Sequence, residues 1–170
     1  MPKGHLLRFD PIEEGMRQWR AHGWVGAAEG MGVVTSLIRA EQIVASRAEA
    51  VVKPFQLTFA RYEVLMLLLF SRRGELPLGK IGERLQVHPA SVTNAIDRLE
   101  EDRFVRRKMN PQDGRGILAA ITSRGKTVVR DATSALNASV FETLELSESE
   151  SRNLFALLAK LRYRAGDFSK

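Results

Sequence analysis

The sequence runs to 170 residues, is 44% hydrophobic and 27% charged, and carries a formal net charge of +6 with no cysteine. Its size suits a single domain over 1–170 with ordinary soluble composition, and the missing thiols exclude disulfides, thiolate zinc sites and thiol-based oxidation sensing. No stretch is apolar enough for a signal peptide or a membrane span, so the expected location is the cytoplasm, with no membrane partner.

Along the chain, a polar tail of about ten residues precedes Asp10-Pro11, which opens a short helix through Met16 and Trp19 that Gly23 closes. A long helix from Trp24 to about Lys53 follows. Its stripe of Ala27, Met31, Val34, Ile38, Ala45, Ala48 and Val52 is widened by Val33, Leu37, Ala40, Val44 and Val51, and so needs more than one neighbour. Residues 1–53 therefore form an added helix and a first dimerisation helix. Pro54 ends this part, and Thr58 caps a helix running to Arg73, where Val64 to Phe70 is apolar on every side and expected to be buried all round.

Residues 54–122 hold the densest punctuation. Leu78, Ile81 and Leu85 share one helical face, and His88-Pro89 then starts a new helix, because the residue before proline leaves the α region while proline suits the first turn. In that second helix Val92, Ile96 and Leu99 form the buried stripe. Ala90, Ser91, Asn94, Asp97 and Arg98 point outward, with Thr93 at the margin. Strands at 105–108 and 117–121 flank the turn dipeptides Asn110-Pro111 and Asp113-Gly114, framing a hairpin. Past it, Thr122 opens a helix to about Leu144, and Ser147 with Glu150 makes a capping box for a last helix with Leu154, Leu157, Leu158 and Leu161 on one face. Residues 123–170 are thus the C-terminal dimerisation helices. The fold class is mainly α with a small β-hairpin wing (α+β), a winged helix-turn-helix with long flanking dimerisation helices.

Charge and side-chain chemistry favour DNA as partner. Residues 80–130 hold 11 basic and 6 acidic side chains, so the positive excess sits on the winged helix. Ser91 and Thr93 suit phosphates or base edges, Asn94 suits adenine N6 and N7, and Ala90 leaves room for a thymine methyl. Lys80, His88, Pro89 and Arg98 complete the expected face of the two helices. On the hairpin, Arg106, Arg107, Lys108 and Arg115 make a cationic finger for phosphates and the minor groove, with Asp113 fixing the loop. Two such modules about a two-fold axis would set recognition helices about 34 Å apart, matching a pseudo-palindromic operator in double-stranded DNA.

The segment VHPASVTNAIDRLEEDRFVRRKMNPQDGRGILAAIT, followed by Ser123-Arg124-Gly125, resembles the DNA-binding core of the MarR family of bacterial transcription regulators. Asp113, Arg115, Ile121 and Thr122 stand at the matching wing positions; Gly116 and Arg103 depart from the pattern, the latter standing where a glycine commonly ends the recognition helix. The resemblance implies a homodimeric repressor released from its operator by a small anionic or aromatic effector. The added N-terminal helix and LTFARYEVL resemble the branch that senses urate or trans-aconitate, which implies a ligand site drawing on Trp19, Arg20, Arg61, Tyr62, Glu63 and Arg107. Trp19, Glu63 and Arg107 match that branch in position, whereas Ala95 replaces a pocket arginine. Simple packing of Trp19 and Trp24 onto the core is the competing reading.

Enzymatic readings find no support. Gly125-Lys126-Thr127 lacks the first glycine of a P-loop, where Ala120 stands. His5, His22 and His88 lack metal-ligand spacing, and the acidic runs read as solvated helix faces, so no cofactor and no catalytic residue is expected. The remaining alternative is a nonspecific architectural DNA-binding or helical interaction protein.

Overall fold

A computed structural model describes residues 7–111 and 113–169, with the side chains of 113–115 outside the description. The chain falls into two compact units, one up to Ala50 and one from Val51 onward.

In the first unit, α1 (Pro11–Ala21) begins as the Asp10-Pro11 pair requires: Asp10 Oδ1 accepts from the Ile12 N–H at 2.8 Å, and proline fills the first turn. His22 caps its end and Gly23, at φ +83°, turns the chain into α2 (Val25–Val52). The two helices meet where Gly32 leaves room for Met16, whose sulfur a Cβ there would meet at 2.4 Å. Trp19 and Trp24 pack edge to face at 5.2 Å. Beyond this contact Val33, Val34 and Ile38 of α2 remain 55% exposed, so the wide apolar stripe read from the sequence is present and largely uncovered.

In the second unit a short 3-10 turn (Lys53–Phe55) leads to α3 (Phe59–Phe70), capped by Thr58, whose hydroxyl accepts from the Arg61 N–H. This helix differs from expectation. It stops at Phe70, because Ser71 leaves the helical region and its hydroxyl donates to the Leu68 carbonyl; and it is not buried all round, since Tyr62, Val64, Leu65 and Leu68 are buried while Phe70 is 76% exposed. A strand unforeseen in the sequence follows, β1 (Glu75–Pro77), and then α4 (Leu78–Leu85) and α5 (Pro89–Glu101). The wing strands β2 (Val105–Asn110) and β3 (Asp113–Ile121) are longer than read, since both turn dipeptides contribute strand residues, and Asn110 pairs with Asp113 across a bulge. The sheet is antiparallel in the order β1-β3-β2, with Leu76 opposite Ala119 and Arg107 opposite the same residue from the other side.

The α6 helix (Ser123–Leu136) starts on Thr122 as expected but does not run to Leu144. It loosens into a π turn (Asn137–Phe141), where the Glu142 N–H reaches back to the Asn137 carbonyl. The capping box of Ser147 and Glu150 opens α7 (Glu148–Arg164). Leu65, Leu68, Ile81, Ile96, Leu99, Val129 and Leu136 form the centre of the core, fully buried, while α7 buries no residue and leaves Leu154, Phe155, Leu157 and Leu161 exposed.

Candidate nucleic-acid interface

The recognition helix is built as its sequence dictates. Pro89 occupies the first turn, and Val92, Ile96 and Leu99 point into the core. His88 acts locally, capping α5: its Nδ1 accepts from the Ala90 N–H at 3.2 Å. The Thr93 hydroxyl donates to the Pro89 carbonyl at 3.1 Å. Ala90, Ser91 and Asn94 are exposed at the N-terminal end of the helix, and the side-chain polar atoms of Ser91 and Asn94 have no hydrogen bond among the described residues. That end of α5 therefore offers hydrogen-bonding atoms and a methyl group to whatever approaches it.

Most of the expected cations are held by neighbouring acids. Lys80 pairs with Glu83 at 2.7 Å, Arg98 with Glu101 at 2.9 Å, and Lys108 with Glu75 at 2.7 Å. The first two pairs are exposed and worth about 0–1 kcal/mol each, so a phosphate can replace the carboxylate at little cost, while Glu75 is partly covered. Arg106 is exposed and forms no ion pair among the described residues, acting on Glu75 only at longer range. Asp113 and Arg115 supply backbone to β3, but their side chains lie outside the described residues.

Arg107 is more firmly committed. Its guanidinium reaches both Asp97 and Glu100 of α5, and its backbone N–H donates to Glu100 Oε1 at 2.9 Å. That N–H, followed by the guanidinium, holds the Glu100 carboxyl below the usual carboxylate range. The cluster clamps the wing strand to the recognition helix. Because Glu100 is depressed in the folded state, its stabilisation is present above a pH of about 4.5 and disappears as pH falls through the lower folded value. Arg107→Met is expected to cost about 1 kcal/mol at neutral pH, discounted for solvent exposure, and to flatten acid unfolding in this range in part, since the backbone N–H on Glu100 remains. Urea titrations at several pH values would show it; parallel pH profiles for parent and variant would remove the clamp.

The residues expected around an effector fall in both units. Trp19 and Arg20 belong to the first unit, Trp19 against Trp24 and Arg20 against Glu29. In the second unit Arg61 lies 3.3 Å from Asp102, and the buried Tyr62 places its hydroxyl 3.2 Å from that of Thr133. Glu63 is half-buried, and burial pushes its carboxyl up. Arg61, Tyr62 and Arg107 thus face three different partners. Sequence reasoning missed the acids that hold these groups: Asp102 and Glu100 sit in a run read as a solvated helix face, and only folding brings Arg61 and Arg107 to them.

The MarR family profile matches residues 57–117. Among characterised relatives, the chain is 30% identical over 102 residues to the HTH-type transcriptional regulator SarZ of Staphylococcus epidermidis, covering 60% of this chain and 67% of that one. Sco5413, a MarR family transcriptional regulator from Streptomyces coelicolor, superposes with a TM-score of 0.76 at 49% identity, over 84% of this chain and 99% of its own. Sco3205 from the same organism, solved in complex with DNA, shares the fold at a TM-score of 0.71 and 24% identity, over 79% of this chain and 86% of its own.

Proposed function

The chain belongs to the MarR family of transcriptional regulators, and from that premise we propose that it is a homodimeric, sequence-specific reader of a pseudo-palindromic operator, acting as a repressor. The observation that carries the reading is the division of labour on α5: its buried face is apolar, its C-terminal charged residues are tied to one another and to β2, and at its N-terminal end Ala90, Ser91 and Asn94 are exposed with no side-chain hydrogen bond among the described residues. A helix end so furnished fits the major groove, where short polar side chains meet base edges. The structure of Sco3205 with DNA supports the same use of the fold.

Dimerisation is supported by the uncovered apolar residues of α2 and α7, which a lone chain leaves in water. The effector is a small anionic or aromatic molecule that favours the conformation unable to hold DNA and so releases it. Trp19 and Trp24, already in contact, provide the fluorescence by which its binding is followed, with DNA release measured alongside.

Asn94→Ala tests base reading. On duplexes selected from a random library, the parent should prefer its best sequence over nonspecific DNA by about 10³-fold or more. The variant should lose about 10- to 100-fold of that preference at a single base pair, with unchanged folding stability. An architectural protein would show little sequence ratio in the parent, and that result would reject specific reading.

A further inference from the structure

Beyond α5, a second group of cations of the second unit gathers on one concave surface. A groove of about 460 Å³ runs between the loop after α3, the end of α4 and the outgoing end of β2, and Arg72, Arg73 and Arg84 all line it. The three arginines are exposed, and none forms an ion pair among the described residues, in contrast to Lys80, Arg98, Arg107 and Lys108; Arg73 acts on Glu75 and Arg84 on Glu83 only at longer range. The one acid in the groove, Glu75, is already held by Lys108 at 2.7 Å. That bond holds its carboxyl below the usual range, and Arg73 and Arg106 lower it further.

Topology fixes what the groove can meet. In the order β1-β3-β2, α5 packs against β2, while the groove includes β1 at the opposite edge. Asn110, where the wing leaves the sheet, is also part of its lining. A wing lying in a minor groove would then carry these arginines past it, over the sugar-phosphate backbone on the side away from the recognition helix. Planar guanidinium forks match phosphate oxygens, and three on one concave surface suit a backbone that presents them in succession.

We propose that Arg72, Arg73 and Arg84 form an outer phosphate clamp, which binds the DNA backbone flanking the sequence read by α5. The clamp rests on the DNA-reading function proposed above and extends its footprint outward. Its contacts add affinity without sequence information, because phosphates are the same at every base pair.

The test compares full-length protein with the triple variant Arg72→Gln/Arg73→Gln/Arg84→Gln on two duplexes: the library-selected sequence with long flanks, and the same sequence trimmed to the bases read by α5 and the wing. Binding is measured against salt concentration. On the long duplex the variant should lose roughly one unit of the log–log salt slope per arginine engaged, about 2 to 3 in all, while on the trimmed duplex parent and variant should coincide. The triple lysine variant, which keeps the charge, should retain most of the slope, and thermal melting should be alike for all three proteins. Equal slopes for parent and glutamine variant on the long duplex would overturn the clamp. A parent that shows no preference among duplexes would instead strike the DNA-reading function on which the clamp rests.

Discussion

Gly125→Ala is expected to destabilise the second unit by about 3 kcal/mol. Gly125 is buried in the first turn of α6, and a Cβ built there would lie 2.1 Å from the Phe104 carbonyl oxygen and 2.9 Å from Ile121 Cγ1. The obstacle is backbone and cannot rotate away. Moreover, that oxygen is already engaged: it accepts from the Thr122 N–H at 2.9 Å, and the Thr122 hydroxyl lies 3.1 Å from it while also capping Gly125. Relief would require pulling the end of the recognition-helix segment away from the start of α6, breaking these bonds. Alanine favours a helix over glycine by about 1 kcal/mol, so the opposing effect has the other sign. A melting temperature at or above the parent's would show that the seam yields easily and that the close approach has no energetic weight.

Leu99→Ala should cost a similar amount, about 3 kcal/mol, by a different route. Leu99 is 0% exposed on the inner face of α5, beside Ile96 at 0% and Val92 at 2%, and truncation leaves a cavity that the surrounding helices and sheet can fill only in part. The denaturant midpoint should fall with little change in its slope, since the same surface is exposed on unfolding. DNA binding well below the new midpoint should keep its sequence preference, because the outward residues are untouched. A loss under about 1 kcal/mol would mean that α5 is less rigidly anchored than its burial indicates. Asn94→Ala, exposed on the same helix, is the control in which reading changes and stability does not.

These two residues also show where a sequence can be read and where it cannot. Leu99 is legible from spacing alone: with Val92 and Ile96 it marks one face of a helix whose start Pro89 announces. The caps at Asp10, Thr58, Thr122 and Ser147 are equally legible, for each depends on a side chain and an N–H two or three residues away. The role of Gly125 is not, because its constraint comes from Phe104, and nothing in the local sequence shows that their backbones touch. The same holds for β1, whose three residues are strand only because β3 lies alongside, and for the early end of α3 at Phe70, where helical periodicity continues but the backbone turns out. Arg103 stands between these cases. The resemblance marks it as a departure from a glycine, and the structure shows it at φ +62°, the left-handed conformation that glycine adopts without strain.

The sequence by itself determined the order of the helices and the wing, the inward face of the recognition helix and its outward positions Ala90, Ser91, Asn94, Asp97 and Arg98, since each is a matter of periodicity, capping or turn chemistry within a few residues. Only the tertiary structure decided which charges are occupied. Arg107 is tied to α5, Arg61 to Asp102 and Lys108 to Glu75, while Arg72, Arg73 and Arg84 share a groove with no acid to spare. Long flexible side chains find their partners through space, from elements brought together by burial of the apolar core, and a charge count along the chain carries no record of that pairing.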